Sequence, residues 1–141
     1  LSALDRTIKM IKKYQNIQID INKIPLDDKS TFDLLSSGKT TECFQLESAG
    51  MQRYISELKP TNLGDIAAMI ALYRPGPMEH IDTFISGKHG KTPISYPHES
   101  LKDLLDETYG VIVYQDQVLL ILQNFAGLQK LFFRMWKIQK E

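Results

Sequence analysis

The sequence predicts a mainly α-helical domain with a few short β segments. Three observations predict it. Residues 2–15, 48–58, 62–73 and 115–126 repeat apolar side chains three and four positions apart, the spacing of one helix face. Pro25, Pro60, Pro75 and Pro77, with Gly38 and Gly127, cut the chain between such stretches. Extended character is confined to three short runs: NIQIDINKI (16–24), TECFQL (41–46) and VIVY (111–114).

Taken in order, residues 2–15 read as an amphipathic helix with a cationic face, Leu4, Ile8 and Ile11 lying on the other side. The helix opens directly from Leu1 with only Ser2 to cap it, so the start reads as a piece of something longer, although an artificial boundary would look the same. Residues 16–24 alternate apolar and polar, which suits a short extended segment ended by Pro25. Asp27 or Asp28 caps a helix over 29–36, with Phe32 and Leu35 inward and Gly38 as its stop. Residues 41–46 suit a short buried strand or a turn. Glu47 and Ser48 stand where the next helix, 48–58, needs its cap. The helix over 62–73 sends Ile66, Met69, Ile70 and Leu72 to the core and ends before Pro75. No regular element continues through RPGP (74–77). A short helix follows over 79–86, then a loop, GKHGKTPISYP (87–97). Residues 98–107 look helical, VIVY reads as a short buried strand, and 115–126 form a strongly amphipathic helix built on Val118, Leu119, Ile121, Leu122 and Phe125.

Composition bounds the function. A chain of 141 residues with 43% hydrophobic and 24% charged side chains is one ordinary globular domain, not a disordered tail, a collagen-like repeat or a coiled-coil rod. No run of about 18 apolar residues occurs, so no membrane partner is expected. With no secretory pattern and a lone cysteine, Cys43, neither a disulfide framework nor a zinc framework is expected, and a cytoplasmic setting is the simplest. Seventeen Lys and Arg balance seventeen Asp and Glu, which argues against a surface that grips DNA all over. The balance is uneven, however. Residues 1–15 hold four cations against one anion, residues 128–141 do the same, and the middle is correspondingly acidic.

Most catalytic chemistries find no support. His80, His89 and His98 lie nine apart, without an i,i+4 pair or a metal-binding motif, and read as surface or loop histidines. There is no G-x-S-x-G nucleophile elbow and no phosphate-cradling glycine loop of a standard type. Asp27–Asp28 fit a helix N-terminus, and Asp103, Asp106 and Glu107 a solvated helix face, at least as well as a two-metal site. What remains is the loop system. Arg74 precedes a rigid turn, and Lys88, His89 and Lys91 sit in a glycine-bracketed loop of a kind that suits phosphates. Tyr96, Tyr109 and Tyr114 are close enough in sequence to stack on bases, or to edge the core.

The same loops carry a resemblance. TECFQLESAGM (41–51), ELKP (57–60), IAAMIALYRPGPMEHIDTFISGKHG (66–90), SYPH (95–98) and LLDETYGVIVYQDQVLLI (104–121), with IPLDDKSTFDLLSSGKTT (24–41), resemble the bacterial replicative DNA polymerase III alpha subunit in order and spacing over residues 1–127. The resemblance implies a partial fingers domain, with residues 1–15 as the helix leaving the palm and residues 128–141 as a divergent basic and aromatic tail. It implies a DNA-directed DNA polymerase that adds deoxynucleotides to a primer, using Mg²⁺ ions held by three palm aspartates. None of those three falls within this chain, and neither Asp5 nor Asp20 lies in their motifs. The fragment alone is therefore expected to bind no Mg²⁺ and to be inactive.

The implied partners are DNA primer-template, deoxynucleoside triphosphates, the remaining palm and fingers, and other replisome subunits. Arg74 and Lys88 are expected near the DNA or nucleotide channel, with His89 and Tyr114 as further contacts. Gln115 and Gln117 are expected to hydrogen-bond the template or to hold the neighbouring loop; equally, Arg74 could pair with a carboxylate and Gln115 could cap its helix. In the tail, Arg134 and Lys137 echo a basic R-R-A-M-G-K-K stretch that faces the incoming triphosphate, without its paired arginines or glycine. A frameshift, an altered terminus or real divergence would each produce that tail, whose Leu131, Phe132, Phe133 and Trp136 suit docking on a partner. Two other readings stand beside this one: a non-enzymatic relic that binds nucleic acid or protein, and a fragment without function.

Overall fold

Three helices meet at the centre of the molecule because each carries one apolar stripe with nowhere else to go. They belong to a computed structural model that describes residues 2–126. Seven α-helices occur among the described residues: α1 (Ser2–Gln15), α2 (Lys29–Ser36), α3 (Ala49–Leu58), α4 (Leu63–Leu72), α5 (Ile81–Lys88), α6 (Lys102–Leu105) and α7 (Gln115–Ala126). Met51, Ile55 and Leu58 of α3 pack with Ala68, Met69 and Leu72 of α4 and with Ile81, Phe84 and Ile85 of α5. Leu35 of α2, Leu46, Val111 and Val113 close this core.

Local chemistry sets the helix ends. The carboxylate of Asp28, not Asp27, caps α2 and accepts both the backbone N–H and the hydroxyl of Thr31 at 2.7 Å. Those two bonds hold its carboxyl below the ordinary aspartate range, the hydroxyl bond contributing most. Ser48 caps α3 by accepting from the Met51 N–H at 3.3 Å, as expected, and Asn62 caps α4 at 2.9 Å from the Asp65 N–H. At its far end α4 closes on an inverse γ-turn: Tyr73 has φ −76° and ψ 69°, and the Arg74 N–H donates to the Leu72 carbonyl at 2.7 Å. Gly76 then takes φ 95° and ψ −82°, a conformation closed to residues with a side chain. One 3₁₀ turn (Pro77–His80) leads into α5. That helix ends in a Schellman motif, with Lys91 N–H donating to Ser86 O and Gly90 N–H to Gly87 O.

Several expectations need correction. No β-strand forms among the described residues, so the few short β segments are absent there. Residues 16–24 have no strand to pair with; instead the Asp20 carboxylate accepts from the Asn22 N–H at 3.1 Å and winds Ile21–Lys23 into a 3₁₀ turn. Residues 41–46, read as a strand or a turn, take the turn: consecutive turns surround buried Thr40, whose hydroxyl donates to the Leu46 carbonyl at 2.7 Å. Residues 111–114 bury Val111 and Val113 as a strand would, but side chains rather than a neighbouring strand satisfy their backbone. The expected helix over 98–107 is α6 between two 3₁₀ turns, Glu99–Leu101 and Asp106–Thr108. The short helix runs to Lys88, so the following loop starts later than expected.

α1 differs from the rest. It is amphipathic as expected, yet none of its residues is buried, and Leu4 and Met10 are 56% and 59% exposed. An exposed Asp5–Lys9 pair at 2.7 Å supports it locally, worth a few tenths of a kcal/mol. Among the described residues no helix is long and apolar enough to cross a membrane.

Gly87 marks the tightest contact between α5 and the chain after α6. A Cβ there would sit 2.7 Å from the Cβ of Tyr109, which has φ 52° and stacks edge-on against Phe84 at 5.1 Å. Gly87→Ala gains up to ~1 kcal/mol of helix propensity. It also forces apart backbone-anchored atoms, at a cost of ~1–3 kcal/mol. A lower urea midpoint than wild type is expected; a higher one would show that Tyr109 yields freely.

Candidate functional site

The loops singled out by sequence resolve into two supported corners. The first lies where α5 ends against the start of α4. Lys88 turns inward there rather than toward solvent. Its Nζ donates to Asp65 Oδ2 at 2.7 Å and to Thr61 Oγ1 at 3.0 Å, and the side chains of Lys88 and Asp65 are only 8% and 4% exposed. The same carboxylate oxygen accepts from the Thr61 N–H at 2.8 Å and its hydroxyl at 3.1 Å. Helix dipoles reinforce the arrangement, since Asp65 is in the first turn of α4 and Lys88 in the last turn of α5. In this fold the Lys88 ammonium is thereby paired inside rather than exposed. Its neighbour His89 diverges from it. His89 is exposed, and its Nε2–H donates to the Glu57 carbonyl at the end of α3, 2.9 Å away.

The second corner is the chain from Thr108 to Gln117. Gln117 is 5% exposed. Its Oε1 accepts from the Val113 N–H at 2.8 Å and the Tyr114 N–H at 3.0 Å. Its Nε2 donates to Thr108 Oγ1 at 3.0 Å and to the Leu104 carbonyl at 3.4 Å. The Thr108 hydroxyl in turn donates to the Val111 carbonyl at 2.6 Å. Gln117 thus holds the neighbouring loop, one of the two roles expected for it, and reaches back to the residue before α7 as the third residue of a capping box does. Gln115 sits exposed at the start of α7, its amide bonded to nothing among the described residues.

Tyr114 is half-buried against the core beside Gln115. Burial pushes its phenol above the ordinary tyrosine value, with the charges of Asp116, Glu107 and Asp65 adding to the shift. Tyr109 is raised by burial and by Asp65 in the same way. Tyr96 is raised mainly by its hydrogen bond to Asp106, at 2.7 Å. All three stay neutral phenols through physiological pH. Tyr109 and Tyr114 edge the core, and Tyr96 is tied to Asp106.

Arg74 stands apart from both corners. It is exposed, fixed at its backbone by the γ-turn and Pro75, and makes no ion pair among the described residues. No hydrogen bond or ion pair among those residues joins it to Gln115 or His89. Arg134 and Lys137 lie outside the described residues. The partners of Lys88 were missed at the level of sequence. The pattern N-L-G-D (62–65) marks a helix start with an acid in its first turn, but nothing local shows that a lysine 23 positions on will reach it.

The profile of the bacterial DNA polymerase III alpha subunit finger domain matches residues 1–131. The DNA polymerase III subunit alpha of Bacillus subtilis is 53% identical over 127 residues, covering 90% of this chain. Those of Thermus aquaticus and Caulobacter vibrioides are 48% identical over 132 residues and 49% over 127, again covering 90% of the chain. The chain spans 11% of the length of each of these relatives.

Removing one member of the buried pair strands the other. Lys88→Met is expected to lower unfolding free energy by about 3–5 kcal/mol, because an unpaired Asp65 carboxylate stays in the interior. The double variant Lys88→Met with Asp65→Asn is expected to recover most of that loss, since the amide oxygen still accepts from Thr61. Urea unfolding of the four-member cycle measures it; additive losses would contradict the coupling.

Proposed function

The chain belongs to the finger-domain family of bacterial DNA polymerase III alpha subunits, and from that membership we propose that it is part of the fingers of a replicative DNA-directed DNA polymerase. Its contribution is positioning: holding primer-template and incoming deoxynucleotide in register while the chemistry proceeds elsewhere in the enzyme. One observation carries the reading above all, namely about half identity to such subunits across nine-tenths of the chain. That extent favours a working polymerase segment over a non-enzymatic relic.

The geometry around Arg74 and at the start of α7 supports specific roles. Arg74, projected from a rigid turn and free of internal partners among the described residues, suits a phosphate contact. Gln115 presents a free amide beside the neutral phenol of Tyr114, a pairing able to hydrogen-bond and stack on a base. Gln117 acts through the loop it holds, and His89 lies on a separate, exposed edge. Arg134 and Lys137 would face the triphosphate.

Among the described residues no three His, Cys, Asp or Glu side chains converge to hold a metal ion. The donor set among the described residues does not fit a two-metal site. In the intact enzyme Mg²⁺ would be held by carboxylates of the palm. The exposed apolar positions of α1 (Leu4, Met10) and α7 (Val118, Leu120, Leu122, Phe125) suit burial against the remaining palm and fingers. Replisome subunits would follow as partners of the whole, working in the cytoplasm.

The test is a chimera in which this chain's matched segment replaces that of the Bacillus subtilis subunit. Mg²⁺-dependent primer extension is expected to persist, whereas the 141-residue chain by itself gives none. In the chimera, Arg74→Ala and Gln115→Ala are each expected to lower kcat/KM about tenfold, the effect of losing one polar contact of about 1.4 kcal/mol. A folded chimera without extension, or variants with unchanged kcat/KM, would count against the reading.

A further inference from the structure

Lys59 occupies a position that backbone energetics reserve for another residue. It is the C-cap of α3, with φ 48° and ψ 68°, the left-handed conformation that helix ends ordinarily give to glycine. It also precedes Pro60, which is fully buried and restricts it further. That left-handed backbone is less favourable for lysine than for glycine. The Lys59 side chain is exposed and makes no ion pair among the described residues.

Lys59 borders two grooves: one is shared with Asp27, Lys29 and Asp33, and the other lies between the ends of α3 and α5. The ends of α3 and α5 lie side by side, joined by the bond from His89 Nε2 to the Glu57 carbonyl. Between them opens a groove of about 470 Å³ lined by Glu57, Lys59, Ile85, His89 and Lys91. Lys59, His89 and Lys91 are all exposed. The carboxylate of Glu57, the groove's one acid, faces Arg53 one turn back at 3.6 Å. Lys91 reaches the groove because the Schellman turn at Gly90 ends α5 there, and its backbone bond to Ser86 is independent of its side chain. Lys88, the cation nearest in sequence, is absent from the groove because Asp65 holds it inside.

We propose that the groove between the ends of α3 and α5, lined by Lys59, His89 and Lys91, is a binding site for the phosphodiester backbone of nucleic acid. The proposal rests on the polymerase reading above, which makes a polyanion the expected ligand.

Lys59→Gly separates binding from folding. It removes the ammonium and relieves the backbone, so thermal stability is expected to equal or exceed that of wild type. Binding of a fluorescein-labelled primer-template hairpin to the 141-residue chain, followed by anisotropy, is expected to weaken about fivefold or more at 0.1 M salt, and the slope of log affinity against log salt to shrink by about 1. Lys91→Ala is expected to behave likewise, and Lys59→Arg to retain wild-type binding. Wild-type affinity and slope in Lys59→Gly, with the wild-type chain binding DNA, would overturn this site alone. Absence of salt-dependent binding by the wild-type chain would overturn the site together with the DNA-contact reading. Displacement of the hairpin by polyglutamate of equal charge, at equal concentration, would reassign the groove to an acidic protein segment and overturn the proposal.

Discussion

An ammonium and a carboxylate withdrawn from water have to find each other, and the contact between Lys88 and Asp65 sets much of this structure. The pair joins the last turn of α5 to the first turn of α4, and the carboxylate also gathers the backbone and hydroxyl of Thr61. Such a pair adds little net stability over an apolar pair of equal volume, yet leaving either member alone is costly. It therefore acts as a register pin. With α5 slid by a turn along α4, Nζ would miss Oδ2 and two charges would stand unpaired in the interior. Holding Thr61 also fixes the Lys59–Pro60 turn between α3 and α4, and with it one wall of the cationic groove.

A second network does for the chain before α7 what a neighbouring strand would do in a sheet. The amide of Gln117 takes two backbone N–H groups and the hydroxyl of Thr108 takes a carbonyl. Val111 and Val113 are then buried in an irregular conformation with the Val111 carbonyl and the Val113 N–H both bonded. The result is a rigid base under Tyr114 and Gln115 at the mouth of α7.

The surface divides into two kinds. One face of α1 and one face of α7 carry exposed apolar side chains among the described residues, which is the pattern of segments that dock on more protein. The ends of α3 and α5 are cationic and polar, the pattern of a surface that meets a charged ligand in water. Arg74 lies on its own rigid turn, separate from both.

Helix positions and ends were legible in the sequence because they depend on neighbours a few residues away. The apolar spacing of α3, α4 and α7, the cap at Asp28 (offered beside Asp27) and the cap at Ser48 are local chemistry, and the family motifs were legible as strings. The β segments were misread because VIVY has the composition of a strand, while only the folded chain decides whether its backbone groups meet another strand or the side chains of Thr108 and Gln117. The direction of Lys88 was hidden for the same reason. A lysine in a glycine-bracketed loop looks solvated until a carboxylate 23 residues earlier comes within 2.7 Å of it. Lys59 appeared only as the residue before a proline; its left-handed backbone and its neighbours across the groove exist only once α3 and α5 are packed. Sequence determined which segments coil, where they stop and what family they come from, since those follow from local stereochemistry and motif order. Tertiary structure decided which charges face inward and which face solvent, because that depends on distances between residues far apart in the chain.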